Sequence, residues 1–178
     1  MSPLKVKKLT DTAILPTRGS TGAAGFDLYA DSVENPYSKV QFDNGKTLVR
    51  CCSGTSIKVH TGIAMEIPKG YVGLLFARSG LSCKQGLRPA NCVGVIDEDY
   101  RGEIILQLYS DPDFANLEFT ASDDPITPEN ITEQLAEFTL HDRVAQIVFV
   151  KYDAFNILEV DELSDTVRGA NGFGSTGK

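Results

Sequence analysis

The sequence predicts an all-β barrel or sandwich, one domain spanning residues 1–178. Short β-branched and aromatic runs recur at regular spacing with turn residues between them, as the strands of such a fold do. Sixteen glycines, eight prolines and no tryptophan suit a turn-rich β chain. A hydrophobic content of 42% against 23% charged residues supplies a core and argues against disorder.

Leu4–Leu9 partly alternates and reads as a first strand. Pro16–Gly25 is a loop, after which Phe26-Asp27-Leu28-Tyr29 resumes the alternation with Asp27 at its entrance. A carboxylate there ordinarily bonds nearby backbone amides, and a functional role is the competing reading. Ser38–Phe42 and Thr47–Arg50 flank Asp43-Asn44-Gly45-Lys46, and Asn-Gly between β-prone runs predicts a hairpin because both residues tolerate positive φ. Ile57–His60 and Ile63–Ile67 read as separate strands, Pro68–Tyr71 as a turn, and Val72–Ala77 as a buried strand. Within acidic Ser110–Leu140, Thr127 suits an N-cap and Pro128 the first helical position. Ile131, Leu135 and Phe138 share a face, so a surface helix is expected over Thr127–Phe138. Asp142-Arg143 opens a strongly apolar strand to Val150, and Ala154–Val160 reads as the last strand.

Candidate chemistry gathers at glycine-rich stretches. In Asn91–Gly102 apolar Val93, Val95 and Ile96 run into a polar turn and Glu103–Tyr109 leads away from it, a β-hairpin whose turn carries Asp97, Glu98, Asp99, Tyr100 and Arg101. Arg78, Ser79 and Gly80 leave a strand where a short helical turn, Leu81–Gln85, begins. They suit an anion site; alternatively Ser79 caps the helix while Arg78 pairs with a carboxylate. Gln146 inside an apolar run marks either an edge strand or a ligand. Gly172–Lys178 has the Gly-x-x-x-x-Gly-Lys spacing of a P-loop, but no helix follows Lys178, so that reading fails on context. Glycines there still allow backbone amides to approach phosphate closely, and Arg168 and Phe173 suit a tail that folds over a ligand.

The totals exclude other classes. A formal net charge of −7 disfavours duplex-DNA binding, whereas Arg18, Arg78, Arg101, Arg143 and Arg168 beside glycines suit a small polyanion. Adjacent Cys51 and Cys52 with separate Cys83 and Cys92 form no Cys-x-x-Cys pair, and two histidines make zinc unexpected. The cysteines read as reduced and mostly packing residues. No secretion signal or membrane span is read, so the cytoplasm is the expected compartment.

Ala24-Gly-Phe-Asp-Leu28, Ala77-Arg-Ser-Gly-Leu81, Asn91–Gly102, Asp142-Arg-Val-Ala-Gln146 and the Arg168–Gly177 stretch together resemble the five ordered motifs of the trimeric deoxyuridine triphosphatases (dUTPases). The resemblance runs from about residue 4 to 178. It implies a jelly-roll-like β-barrel, a homotrimer with shared sites, and Mg²⁺-assisted hydrolysis of dUTP to dUMP and pyrophosphate, which keeps uracil out of DNA and supplies dUMP for dTMP synthesis.

By the same resemblance, Asp97 is the base that positions water against the α-phosphorus. Arg78, Ser79 and Gly80 hold phosphates, with Gln146 reaching the chain near the α-group. Arg168, Gly174, Ser175 and Thr176 close on the γ-phosphate, and Phe173 stacks on uracil. Backbone around Val95, Ile96 and Asp97, with Asn91 and Ile105, reads the base, and Tyr100 packs under deoxyribose. Asp27 meets Mg²⁺ through water, and Asp142 and Arg143 brace the site. His141 stands where the family usually has glycine, so the backbone there is expected to differ. Residues 34–56 and 110–140 look like insertions, able to alter trimer packing or bind a protein partner, and residues 165–178 like a mobile C-terminal arm. Insertions of this kind also fit a phage or viral source. A dCTP deaminase of the same superfamily and a regulatory dUTP-binding protein are the competing readings.

Overall fold

The computed structural model describes residues 3–111 and 135–171. Their order is β1 (Lys5–Lys8), β2 (Phe26–Tyr29), β3 (Ser32–Glu34), β4 (Ser38–Gln41), β5 (Thr47–Cys52), β6 (Ser56–Glu66), β7 (Tyr71–Ala77), α1 (Ser79–Gln85), β8 (Leu87–Pro89), β9 (Gly94–Ile96), β10 (Glu103–Ser110), β11 (Leu135–Thr139) and β12 (Arg143–Lys151). The fold is all-β and jelly-roll-like, with one short helix.

Three antiparallel sheets enclose the core. One runs β1-β6-β10-β8 with β3 also on β6, a second β2-β12-β7-β9, and a third β11-β5-β4. Among the described residues the ladders do not join into a closed barrel. Alternation selects the inward faces: Ile104, Leu106 and Leu108 of β10 are buried beside Val59 and Ile57 of β6 and Leu28 of β2. The two strands expected over Ile57–His60 and Ile63–Ile67 are one strand, β6, bent at Gly62 (φ 65°). The predicted short helix begins two residues early, at Ser79, and stops at Gly86, whose left-handed φ of 65° lets its N–H close on Ser82 O at 3.0 Å.

The β4–β5 hairpin forms with a different turn geometry from the one expected. Of Asn44 and Gly45 only Gly45 takes positive φ, at 79°, and Phe42 O accepts from its N–H at 2.9 Å.

Two expected elements are corrected. The surface helix over Thr127–Phe138 is contradicted at its C-terminal end, where Leu135–Thr139 is strand β11; residues 127–134 lie outside the described residues. Buried Ala136 and Phe138 obey a period of two, and β5 supplies partners for both, Cys51 and Val49. The two stretches read as insertions thus meet in one sheet, tied also by Arg50 Nε to Glu137 Oε1 at 2.6 Å. Ala154–Val160 is not a strand: it pairs with nothing among the described residues, and Ile157 is 99% exposed. An apolar run becomes a strand only where a sheet edge receives it, and none among the described residues receives this segment.

Cys51 is buried while Cys83 and Cys92 are exposed, so packing accounts for fewer of the cysteines than expected. Among the described residues no helix is long and apolar enough to cross a membrane.

Candidate active site

Two groups of predicted residues come together at different places. The first sits where β2, β12 and β7 end side by side. Strand register sets Gln146 of β12 opposite both Asp27 of β2 and Phe76 of β7. Asp27 is locked by reciprocal main-chain bonds with Thr17, its N–H donating at 2.7 Å and its carbonyl accepting at 3.3 Å. Its carboxylate is 13% exposed and holds two arginines: Oδ1 faces Arg78 Nε at 2.9 Å and Oδ2 faces an Arg143 terminal nitrogen at 3.3 Å. Arg78 also donates to the Arg143 carbonyl at 3.1 Å.

The local-amide reading of Asp27 therefore gives way to an ion-pair role. A single carboxylate shared between two guanidiniums leaves net positive charge, which suits a phosphate chain. The β12 register shifts between Arg143 and Ala145, and that irregularity brings Arg143 to Asp27. Gln146 donates from Nε2 to Ala77 O at 3.0 Å. Its strand is flanked on both sides, so the edge-strand explanation for a polar residue there is removed. A Cβ at Gly25 would stand 3.2 Å from Gln146 Oε1, a tight approach that favours the glycine within the Ala24–Leu28 motif.

Arg78 holds the N-cap position without a side-chain cap bond, and Ser79 is the first helical residue. The Ser79-cap alternative does not form, whereas pairing of Arg78 with a carboxylate does. Ser79 and Gly80 are exposed, with open space at Gly80.

The second group surrounds Asn91–Gly102. Its two apolar runs flank a turn as expected, but they do not pair with each other. β9 joins β7, and β10 joins β6 and β8, so this is a corner between sheets and not a closed hairpin. Gly94 is required at the corner because a Cβ would come 3.0 Å from Leu75 Cδ1. Asn91, Gly94 and Ile105, with Leu75, Pro89 and Leu106, line a cavity of about 220 Å³. Val95 is 61% exposed and Ile96 packs against the core.

Asp97 is exposed, and its carboxylate has no hydrogen-bond or ion-pair partner among the described residues. The turn after it is braced. Tyr100 N–H donates to Asp97 O at 3.2 Å, Arg101 to Glu98 O at 2.7 Å, and the Glu98 carboxylate accepts from Gly70 N–H. The Tyr100 hydroxyl donates to Glu103 O at 2.9 Å.

Register keeps the two groups apart within one chain. Ile96 faces Gly73, so Asp97 follows the ladder toward Val72, six residues before Arg78. At about 3.3 Å per residue that separation is roughly 20 Å. Arg168 is exposed and donates to Asn171 O at 3.0 Å, remote from both groups in the hydrogen-bond pattern. Phe173, Gly174, Ser175 and Thr176 lie outside the described residues.

Sequence reasoning missed Glu98, Glu103 and His60 as supports of the corner. Their partners lie 28 to 43 residues away, and no local spacing signals such contacts. His141 takes φ 72°, the region glycine favours, with its N–H on Ala30 O at 2.7 Å. Among the described residues no cluster of three His, Cys, Asp or Glu side chains could hold a metal ion.

The arrangement is that of an all-β subunit with paired arginines suited to an anion at one sheet end and a small cavity at another. Comparison with known proteins narrows the class. The dUTPase family model matches residues 11–115 and 126–177, so the chain belongs to the dUTPase family, hydrolases of deoxyuridine triphosphate. It is 39% identical to a deoxyuridine 5'-triphosphate nucleotidohydrolase of Corynebacterium glutamicum, covering 100% of this chain and 97% of that protein. The same-named protein of Escherichia phage T5 is 36% identical, with 96% of each covered. Among solved structures, a Staphylococcus bacteriophage 80alpha dUTPase mutant with dUpNHpp superposes with a TM-score of 0.67 at 27% identity, covering 100% of both chains. A mutant dUTPase from phage phi11 of S. aureus, described as coordinating a structural Mg(II) ion, gives a TM-score of 0.63 at 25% identity, covering 90% of this chain and 98% of that one.

Proposed function

We propose that this protein hydrolyses dUTP to dUMP and pyrophosphate by attack of water on the α-phosphorus, in sites shared between copies of a homotrimer. The observation that carries this reading is the meeting of Asp27, Arg78, Arg143 and Gln146 at one sheet end, with a carboxylate unpaired among the described residues, Asp97, on a braced corner elsewhere. Arg78, Ser79, Gly80 and Gln146 of one copy hold the phosphates. Asp97 of another orients the water and takes its proton, and Asn91, Val95, Ile96 and Ile105 read uracil while Tyr100 lies under the sugar. A carboxylate with an ordinary pKa of about 3.9 is a weak base near neutrality, so its effect comes chiefly from holding water in line. Arg168, Phe173, Gly174, Ser175 and Thr176 close over the nucleotide.

Sharing between copies also answers the exposed C-terminal segment. Phe155, Ile157, Leu158 and Leu163 are each more than four-fifths exposed, and full burial of one such side chain is worth about 1.5–3 kcal/mol. A neighbouring copy is the surface that gives them cover. Shared sites likewise bridge the roughly 20 Å between Asp97 and Arg78.

Mg²⁺ fits this site as an ion carried by the triphosphate. Both Asp27 oxygens already hold arginines, so Asp27 suits a water-mediated contact and not direct coordination. The ion supplies charge neutralisation to the phosphate chain; Arg78 and Gln146 orient that chain. The soluble cytoplasm, or a host's cytoplasm for a phage or viral source, is where such a substrate would be met.

Pyrophosphate release measured across dUTP, dCTP, dTTP, dATP and dGTP tests the reading. Release from dUTP alone is expected, and ammonia from dCTP would overturn it.

A further inference from the structure

The β6–β10 ladder breaks beside the corner, and side chains fill the break. Glu103 faces Ala64 while Ile105 faces His60, so Thr61, Gly62 and Ile63 all stand opposite Ile104. Two main-chain groups in the bulge receive side-chain partners. The buried Thr61 hydroxyl donates to Ile104 O at 2.6 Å, and Gly62 N–H donates to Glu103 Oε1 at 2.8 Å. Gly62 itself admits no side chain, since a Cβ would lie 2.8 Å from Ala13 Cβ and 2.9 Å from Asp31 Oδ2. The second Glu103 oxygen lies 2.9 Å from His60 Nδ1. His60 Nε2 in turn lies 2.9 Å from Glu34 Oε1, and Lys58 Nζ sits 2.7 Å from Glu34 Oε2.

Both Glu103 oxygens are therefore occupied by β6, which fixes its side chain and, with it, the peptide that follows. That residue's carbonyl is the acceptor for the Tyr100 hydroxyl. The Tyr100 ring lies over Gly102, where a Cβ would come 2.6 Å from the ring Cζ. A bulge next to a site commonly re-aims a side chain, and here the aimed group is a phenol.

We propose that Glu103, held by His60 and the Gly62 amide, is a positioning residue that fixes Tyr100 and so sets the discrimination between deoxyribose and ribose nucleotides. This rests on the dUTP reading, in which Tyr100 lies under the sugar. Loss of the Glu103 carboxylate frees the carbonyl and phenol to move and opens room for a 2′-hydroxyl. His60 acts through Glu103, so its removal has the same effect in smaller measure and none once Glu103 is gone.

Steady-state kinetics on dUTP and UTP for wild type, Glu103→Ala, Glu103→Gln, His60→Ala and the double Ala variant test this. Wild-type turnover of dUTP comes first, because its absence would refute the functional reading and not the positioning role. Glu103→Ala should raise KM for dUTP about tenfold and lower the dUTP-over-UTP ratio of kcat/KM about tenfold, with kcat on dUTP changed less than about threefold. Glu103→Gln keeps an acceptor for Gly62 N–H and should recover most of the ratio. An unchanged ratio in Glu103→Ala, a fall in kcat alone, or additive effects in the double variant would overturn the proposal. Should Glu103→Ala fail to fold, His60→Ala decides: a lowered ratio in His60→Ala beside a near-wild-type ratio in Glu103→Gln supports the role, and an unchanged ratio in His60→Ala ends it.

Discussion

The arginine end and the β9–β10 corner are built on opposite electrostatic plans. At the arginine end the charges are already paired: Asp27, 13% exposed, divides its carboxylate between Arg78 and Arg143. At the corner Asp97 stands exposed and without a hydrogen-bond or ion-pair partner among the described residues, while the residues around it, Tyr100, Arg101 and Glu98, are tied to backbone. A pre-paired cluster binds by exchanging a protein anion for a phosphate, which keeps its geometry fixed before ligand arrives. An unpaired carboxylate on a rigid support is suited to act on water. On the proposed reading the arginine end holds its charges paired until substrate comes, and the corner keeps the Asp97 carboxylate available to water.

That contrast is breakable. Asp97→Asn should keep dUTP binding and lose roughly 10²–10⁴-fold in kcat, the range of general-base assistance. Single-turnover kinetics beside equilibrium binding check it, and a near-normal kcat removes Asp97 from the role. Arg78→Ala should behave differently, cutting kcat/KM by roughly 10- to 150-fold with a clear loss of dUTP affinity, because one charge-assisted phosphate contact is worth about 1.5–3 kcal/mol. Calorimetric titration with a non-hydrolysable analogue separates the two patterns.

A smaller effect concerns the support of the corner. The hydrogen bond to Glu103, opposed by burial and aided by Glu34, raises the His60 pKa above its ordinary 6.5. The folded protein holds that proton more tightly than the unfolded chain. The stabilisation is therefore complete below pH 6.5 and fades as pH rises through the raised value. Urea unfolding should show greater stability at pH 6 than at pH 8, and His60→Gln should flatten that difference. The smallest effect belongs to the arginine end. His141→Gly relieves about 1–2 kcal/mol of left-handed strain but adds about 0.5–1 kcal/mol of unfolded-state entropy. Thermal unfolding should show a gain of about 0.5 kcal/mol with kcat unaffected.

What could be read from the chain follows the range of the forces involved. The motifs, the strand alternation around Leu28, the apolar strands at Leu106 and Ile147, and the short helical turn ending at Gln85 are local and were legible. Phe138 was not: a helical spacing and a strand alternation both fit it, and only β5, far off in sequence, decides between them. Ala154–Val160 failed for the converse reason, an apolar pattern without an edge to join. The corner at Asp97 looked like a hairpin because the turn residues are those of one, whereas β7 and β6 compete for its two arms. Arg78 and Asp27 were named separately; their pairing needs the β2–β12–β7 register that no local pattern encodes.

Subunit complementation tests the central claim most directly. At subsaturating dUTP the Asp97→Asn and Arg78→Ala proteins should each fall about tenfold or more below wild type, and in a cyclic trimer formed by co-refolding them one to one, about a quarter of the sites would combine an intact Asp97 with an intact Arg78 from different copies. Pyrophosphate release from dUTP should return to roughly that fraction of wild type. Activity no higher than the sum of the two separate variants would contradict the account.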